Sequence, residues 1–352
     1  MGDARLDLAP LRSPVPRDAV RAYRQEAVAR GDAPRGTTWL AVAAVVLIAV
    51  VVAGIGAGVV GSNPDSPVGL VFLVVAALVA ASVVRGLLRG SPWQLWARLD
   101  RFARANAMCF VPQRTGSEEI GMIFDRGHTR ITSELMRLGD GWLDGRAETA
   151  NYRYSITTGS GKNRRTRVYR WAYLVIRLDR HLPQLVLDAV QNDDRVFGIG
   201  GSNLPVSFAG SQRLGLEGDF DRFFRLFVPE GYERDALYVL TPDLMALLID
   251  QAGSGAAFDV EIVDDRMYFY APGNLDFGDP AVWQRLTTIV RTVGTKTLRQ
   301  TVRYADDRVG DRAVDVVAPQ GRRLRRGGAG AAAVLVVAAI AGWWLLTALF
   351  AR

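Results

Sequence analysis

From Thr38 to Val60 the chain reads TWLAVAAVVLIAVVVAGIGAGVV, with no charged side chain anywhere in the run. About 20 apolar residues in a helix cover the hydrocarbon core of a bilayer, so this run predicts a transmembrane helix over 38–60. A second run, Val68 to Val84 (VGLVFLVVAALVAASVV), has Ser82 as its only polar residue. It extends to Leu88 if Arg85 reaches back to the interface, which predicts a span over 67–88. A third, Ala329 to Phe350 (AGAAAVLVVAAIAGWWLLTALF), predicts a span over 329–350. A cleaved signal peptide competes for the first run, but 37 residues precede it and it exceeds the length of a signal h-region.

The link Gly61-Ser62-Asn63-Pro64-Asp65-Ser66 holds no positive charge, whereas basic residues crowd the other ends of the spans. Arg24, Arg30 and Arg35 precede the first, Arg85, Arg89, Arg98 and Arg101 follow the second, and Arg322, Arg323, Arg325 and Arg326 precede the third. Basic loops stay cytoplasmic. The expected arrangement is a multi-pass protein of a bacterial inner membrane, with the N-terminus and main domain inside and the C-terminus outside. Trp39, Trp93 and Trp96 would then lie at the inner interface, and Trp343 with Trp344 towards the outer one. None of the spans has an internal carboxylate or histidine, which argues against a transporter acting alone. Gly54 and Gly58 form GxxxG, and Ala76 with Ala80 repeats the small-xxx-small spacing. The same spacing serves packing of the hairpin on itself, a homo-oligomer, or contact with another membrane protein.

The net charge of +7 suits an anionic membrane surface or nucleic acid. Lys162 and Lys296 are the only lysines among 43 basic residues, which fits a GC-rich bacterial genome. Cys109 is the single cysteine, so an intrachain disulfide and a cysteine-based zinc site are excluded. Its neighbours in Ala-Met-Cys-Phe-Val are apolar, and the expectation is a buried, inert thiol.

The remaining segments divide as a cytoplasmic tail over 1–37, a juxtamembrane helix over 89–107 and an α+β domain over 108–320 with a mainly antiparallel sheet. Three prolines before residue 17 predict disorder there, and the spacing of Val20, Tyr23, Ala27 and Val28 predicts a short amphipathic helix over 17–30. Trp93, Trp96, Leu99, Phe102 and Ala103 share one helical face. Within the domain, Ala147 to Ile156 and Arg167 to Leu178 read as the strands of a hairpin, with Pro183 to Ala189 as a further strand and Gly198 to Asn203 as loop. Phe223 to Val228 reads as a strand. Asp264-Asp265-Arg266 reads as the turn of a second hairpin between 258–263 and 267–270. Thr241-Pro242-Asp243 and Asp279-Pro280 are helix starts, each with a capping side chain and proline at the first position. Gly294 is expected to end or bend the second helix.

The stretch TTGSGKNRRTRVYR over 157–170 contains Gly-Lys but is not a phosphate loop. Asn163 stands where the magnesium-binding hydroxyl belongs, Ile156 where the first glycine belongs, and a strand follows instead of a helix. Lys162, Arg164, Arg165, Arg167 and Arg170 form a basic cluster at the tip, a solvated turn or a contact for anionic headgroups; nucleic acid is the weaker expectation. Tyr152, Tyr154, Tyr169 and Trp171 are expected in the core. Glu217, Asp219 and Asp221 alternate as weak candidates for Mg²⁺ or Ca²⁺, weighed against a polar turn leading into a buried strand. His128 and His181 lack metal-ligand spacing, and Leu204 replaces the second glycine of GxSxG after Ser202. No motif nominates a cofactor or a catalytic residue.

Leu216-Glu217-Gly218-Asp219-Phe220-Asp221, the segments Phe224 to Tyr232 and Tyr238 to Asp250, and Asp259 to Ile262 together resemble a group of bacterial membrane proteins of unknown function. The resemblance covers mainly 210–270. It implies paired N-terminal spans and a cytoplasmic domain, and supplies no catalytic residues. The expected function is non-enzymatic: a membrane protein whose cytoplasmic domain acts in protein interaction or envelope sensing. The alternatives are a membrane-anchored enzyme using Glu217, Asp219 and Asp221 on a metal, and a basic domain contacting lipid or nucleic acid.

Overall fold

The structure is a computed structural model that describes residues 6–32, 39–63, 67–88, 92–196, 199–216, 218–253, 257–311 and 314–327. The chain forms two compact units, one of residues 10–101 and one built from 102 onwards together with the segment before Pro10. The expected third span lies outside the described residues.

The first unit is helical. The segment expected to be disordered holds a turn of helix, α1 (Ala9–Arg12), and Leu11 and Val15 are buried. The prolines break periodicity without removing apolar anchors, and Arg98 bonds the Leu11 carbonyl at 3.3 Å. Helix α2 (Arg17–Ala29) ends at Gly31, whose φ of 82° no side-chain-bearing residue adopts cheaply. Gly31 N–H bonds Val28 O and Asp32 N–H bonds Ala27 O, the paired bonds of a Schellman ending. Tyr23 and Ala27 are buried, and Tyr23 meets Trp93 edge-to-face at 6.4 Å.

Helices α3 (Trp39–Ser62) and α4 (Pro67–Leu88) form an apolar antiparallel pair. Among the described residues, one helix is long and apolar enough to cross a membrane, with Val45–Ser62 as its window; the apolar part of α4, Pro67–Ala81, is shorter. The pair closes through Ala49, Gly56, Gly69 and Ala76, all buried and spaced by seven within each helix. A Cβ on Gly56 would lie 2.9 Å from Phe72 Cβ, and one on Gly69 2.6 Å from Val60 Cγ2. Gly54 and Gly58, read from the sequence as packing residues, meet nothing within 4 Å, and Ala80 is exposed. The contact follows a heptad seam, which Gly56 shares and the GxxxG pair does not. Away from that seam the surface is bare hydrocarbon: Leu47, Val50, Leu70 and Leu78 are each 63–65% exposed.

Helix α5 (Pro92–Ala105) buries Trp93, Trp96, Leu99, Phe102 and Ala103 at helical spacing. Its Phe102 belongs to the second unit and packs 4.6 Å from Trp283.

The second unit is an antiparallel sheet with helices. Strands β1 (Cys109–Thr115), β2 (His128–Arg137), β3 (Ala147–Thr158) and β4 (Arg165–Ala189) pair in order. After the two-stranded β5 (Asp194–Val196) and β6 (Ile199–Gly201) come β7 (Arg213–Leu214), α6 (Phe220–Phe223), β8 (Phe224–Phe227), α7 (Glu233–Val239), α8 (Pro242–Gly253) and β9 (Asp259–Pro272). Helices α9 (Pro280–Ile289), α10 (Thr295–Thr301) and α11 (Pro319–Arg322) follow. Strand β4 is the spine: β9 runs along it from Trp171 to Leu187, while β3 and then β8 take its other side. Both faces of β4 are covered, so Trp171 to Ile176 is continuously buried and reads as an unbroken apolar run.

Three expectations change here. Pro183 to Ala189 is the second half of β4, because the strand passes through its charged middle on a bulge, between Arg177 and Leu185, that tolerates Pro183. Asp264-Asp265-Arg266 is no turn either; β9 continues through it, with Asp264 at φ 51° absorbing the register shift opposite that bulge. Gly294 does not end the helical run, which continues into α10. It sits in a π-turn over Val290–Gly294, where a Cβ would come within 2.8 Å of Ile176 and Leu143. In addition, part of the expected loop is β6, and Cys109 is exposed because it opens an edge strand.

On one face of the sheet α10 packs against β4, with Thr297 Oγ1 3.5 Å from Met267 Sδ. On the other, Phe124 is ringed by Tyr152, Tyr173, Tyr268 and Tyr270 at 4.9–6.4 Å.

Candidate anionic surface on the hairpin arm

Pairing of β2 with β3 ends at His128 opposite Ser155, and pairing of β9 with β4 ends at Pro272 opposite Trp171. Beyond those rungs β3 and β4 continue alone, through Ile156–Arg167, Thr157–Thr166 and Thr158–Arg165. A free two-stranded ribbon is marginal in water. This one is braced by Tyr154 stacked on Tyr169 at 5.1 Å, by Arg167 over the Tyr169 ring at 5.2 Å, and by the chain His128–Thr157–Thr166 at 3.0 and 2.9 Å. Gly159 makes the turn at φ 79°, where a Cβ would strike Asn163 O at 2.4 Å. A short 3₁₀ turn, Gly161–Asn163, and then a strand follow Lys162.

The arm gathers positive charge that no carboxylate answers among the described residues. Elsewhere in the domain about half of the arginines are matched, among them Arg137 with Glu148, Arg146 with Asp179, Arg225 with Asp188 and Asp193, Arg266 with Glu119, Arg323 with Asp264 and Arg326 with Asp125; others, such as Arg213 and Arg299, stand singly among the described residues. Among the described residues no carboxylate pairs with Arg153, Arg164, Arg165, Arg167 or Arg170, all exposed, and no acidic residue occurs from Thr149 to Leu178. Arg153 and Arg170 stand directly opposite each other in the ladder, a like-charge pair that costs stability without a counterion. Arg165 and Arg167 share one face of the ribbon while Arg153 and Arg170 share the other, so both faces are basic. The side chain of Lys162 lies outside the described residues. Arg153 was not picked out from the sequence; its register opposite Arg170 is the signal.

Tyr152, Tyr154 and Trp171 are buried and Tyr169 is half-buried, so they build the core and are not free to stack bases. Glu217 lies outside the described residues. Asp219 pairs with Arg222 at 3.0 Å, while Asp221 accepts from Leu216 N–H at 3.1 Å. His128 holds Thr157, and His181 holds Asp315 at 3.1 Å. Ser202 donates to Asp188 at 2.8 Å.

The aromatic face also encloses carboxylates that the sequence reading passed over. Tyr268 donates to Glu119 at 2.6 Å, Tyr270 to Glu261 at 2.7 Å and Tyr173 to Glu148 at 3.2 Å. Glu261 is fully buried, and burial raises its pKa against the lowering effect of bonds from Met122 N–H, Tyr270 and Gln184. Burial likewise raises the pKa of Glu148, with Glu119 adding to it. A cleft of about 260 Å³ opens above Glu261, with Arg323 and Arg326 among its lining residues. The sequence signal was an acid at alternate positions of the apolar strand Asp259-Val260-Glu261-Ile262.

Compared with known proteins, the chain matches no protein-family model, no curated protein and no solved structure.

Proposed function

We propose that this is an integral protein of a bacterial inner membrane whose α+β domain works by binding, with the β3–β4 arm as its contact for anionic lipid headgroups. The observation that carries the reading is the clustered charge of the arm: five exposed guanidiniums on one ribbon, none paired with a carboxylate among the described residues, in a stretch without an acid from Thr149 to Leu178. The bare apolar surface of α3 and α4 supports membrane insertion, since such a surface is stable only in hydrocarbon or against another apolar face. In this reading α3, α4 and 329–350 span the bilayer, the N-terminus and the α+β domain are cytoplasmic and the C-terminus is outside, following the basic flanks. The resemblance to membrane proteins with paired N-terminal spans belongs to the same proposal. A tethered domain meets the headgroups at high effective concentration, which favours lipid over nucleic acid as the anion. Each basic residue near an anionic leaflet contributes about 1 kcal/mol, and salt screens it.

The test uses the full chain in nanodiscs. Trypsin cleavage after Arg164 and Arg165 should slow several-fold when phosphatidylglycerol replaces part of the phosphatidylcholine, and recover in 0.5 M salt. Equal cleavage in both lipids refutes the lipid contact, and protection by duplex DNA alone would move the assignment to nucleic acid. Reporter fusions at residue 200 and at the C-terminus test the orientation independently; an external residue 200 overturns it.

A further inference from the structure

The cleft above Glu261 has a layered chemistry. Its floor holds Glu261 and Gln184, both buried, and its apolar walls include Val206, Phe208 and Leu324. Its rim is charged, with Asp125, Arg323 and Arg326 all exposed. The volume of about 260 Å³ falls below the range of about 300–1,000 Å³ typical of drug-sized sites, so what enters is small.

The floor is negative. Glu261 accepts from Met122 N–H at 2.7 Å, from the Tyr270 hydroxyl at 2.7 Å and from Gln184 Nε2 at 2.6 Å. Leu324 N–H donates to Gln184 Oε1 at 2.7 Å, which fixes that amide with its N–H towards Glu261. Every neighbour is a donor, an arrangement that suits the carboxylate rather than the acid. No cation pairs with Glu261 among the described residues, and a buried carboxylate without one is costly. The rim supplies positive charge. Arg323 and Arg326 hold Asp264 and Asp125 through Nη2 at 3.1 and 2.8 Å, and a guanidinium has five N–H donors, so each can take a second anion. A lone anion would meet Glu261 beneath it, and a lone cation would meet the two arginines. A ligand carrying both charges answers both layers.

The cleft opens where the arm begins. Asp125 stands three residues before His128, which bonds Thr157 at the base of the arm. The other wall is the segment that leads to the last apolar run: Phe208 bridges Arg326, Gly327 N–H bonds Ser207 O at 2.8 Å, and the run starts at Ala329.

We propose that this cleft receives a zwitterion, a primary ammonium joined by a short linker to a phosphate, in the form of the phosphoethanolamine headgroup of an inner-leaflet lipid. The ammonium lies inward over Glu261 and the phosphate outward between Arg323 and Arg326. Two guanidiniums suit a phosphate, which has oxygens for both. The lipid as source rests on the membrane reading above, whereas the layering of charge does not.

The experiment is calorimetric titration of the full chain, in lipid-free detergent, with glycerophosphoethanolamine, which is the headgroup without its chains. One site per chain is expected. Glycerophosphocholine, whose quaternary ammonium has no N–H to donate, should bind at least tenfold more weakly. Arg323→Ala and Arg326→Ala, both on the exposed rim, should each weaken binding at least fivefold, and Glu261→Gln at least tenfold. Arg164→Ala with Arg165→Ala should leave it unchanged, so that a failed arm contact and a failed cleft register separately. In nanodiscs, phosphatidylethanolamine should abolish binding of the soluble probe and phosphatidylcholine should not; binding that persists in phosphatidylethanolamine overturns the lipid as source. No binding at 10 mM probe, equal binding of the choline analogue, or binding undiminished in both rim variants overturns the proposal.

Discussion

Gly121 is where one methyl group should do the most damage. A Cβ there would lie 1.9 Å from the Tyr270 hydroxyl, 3.0 Å from Glu261 Oε2 and 3.1 Å from Tyr268 Cε2. Tyr270 cannot swing aside: it is fully buried, stacked on Tyr268 at 5.5 Å and flanked by Phe124. Either the hydroxyl leaves Glu261, losing the 2.7 Å bond, or the segment lifts and loses Met122 N–H to Glu261 and Ile120 N–H to Tyr268. Overpacking costs about 1–3 kcal/mol, and a hydrogen bond to a buried charge about 1.5–3 kcal/mol. Gly121→Ala should therefore destabilise the domain by about 2.5–6 kcal/mol, with a Tm lowered by roughly 5–24 °C at 2–4 °C per kcal/mol. The assay is thermal unfolding of the full chain in detergent, with Gly310→Ala as control because nothing lies within 4 Å of that position. Tyr270→Phe removes the clashing oxygen, so the double variant should be less destabilised than the sum of the two by at least about 1 kcal/mol. A Tm within 2 °C of the parent, or strict additivity, would refute the reasoning.

The other expectations are as direct. Gly56→Leu should loosen the α3–α4 pair, seen as faster proteolysis of the 61–66 link in detergent, while Gly54→Leu is tolerated because its position is open. Trp283→Ala should cost about 3–5 kcal/mol, since its buried ring meets Phe102 and Phe277 and its Nε1 bonds Phe277 O at 2.8 Å; chemical denaturation measures it. Stability should fall as pH rises from about 4 to about 7. Asp259 ionises near the usual carboxylate value of 3.8 when unfolded but holds its proton to about 7 when folded, so the folded state binds more protons in that window. The loss is about 4 kcal/mol at most, and Asp259→Asn should flatten the profile; a profile that still falls as steeply in that variant would rule Asp259 out as its source.

What was legible in the sequence follows from how far each signal reaches along the chain. The capping pairs show this: Asp279 accepts from Ala281 N–H, and Thr241 receives Leu244 N–H, both within three residues. The β3–β4 hairpin was equally legible, its two strands being separated by a turn with its own chemistry. Strand β9 was not, because Asp264-Asp265-Arg266 looks like a turn to any local rule, and its extended course is set by β4 on one side and by Glu119 and Arg323 bonding Arg266 and Asp264. The same distance limit hid the charge logic. Nothing near Asp188 in sequence reveals Arg225, and nothing near Arg153 reveals that Arg170 faces it. The arm was noticed for its glycine and lysine, yet what distinguishes it is the lack of acids from Thr149 to Leu178. A ribbon with exposed arginines on both faces and no acid along either strand from Thr149 to Leu178 must draw its counterions from outside its own sequence.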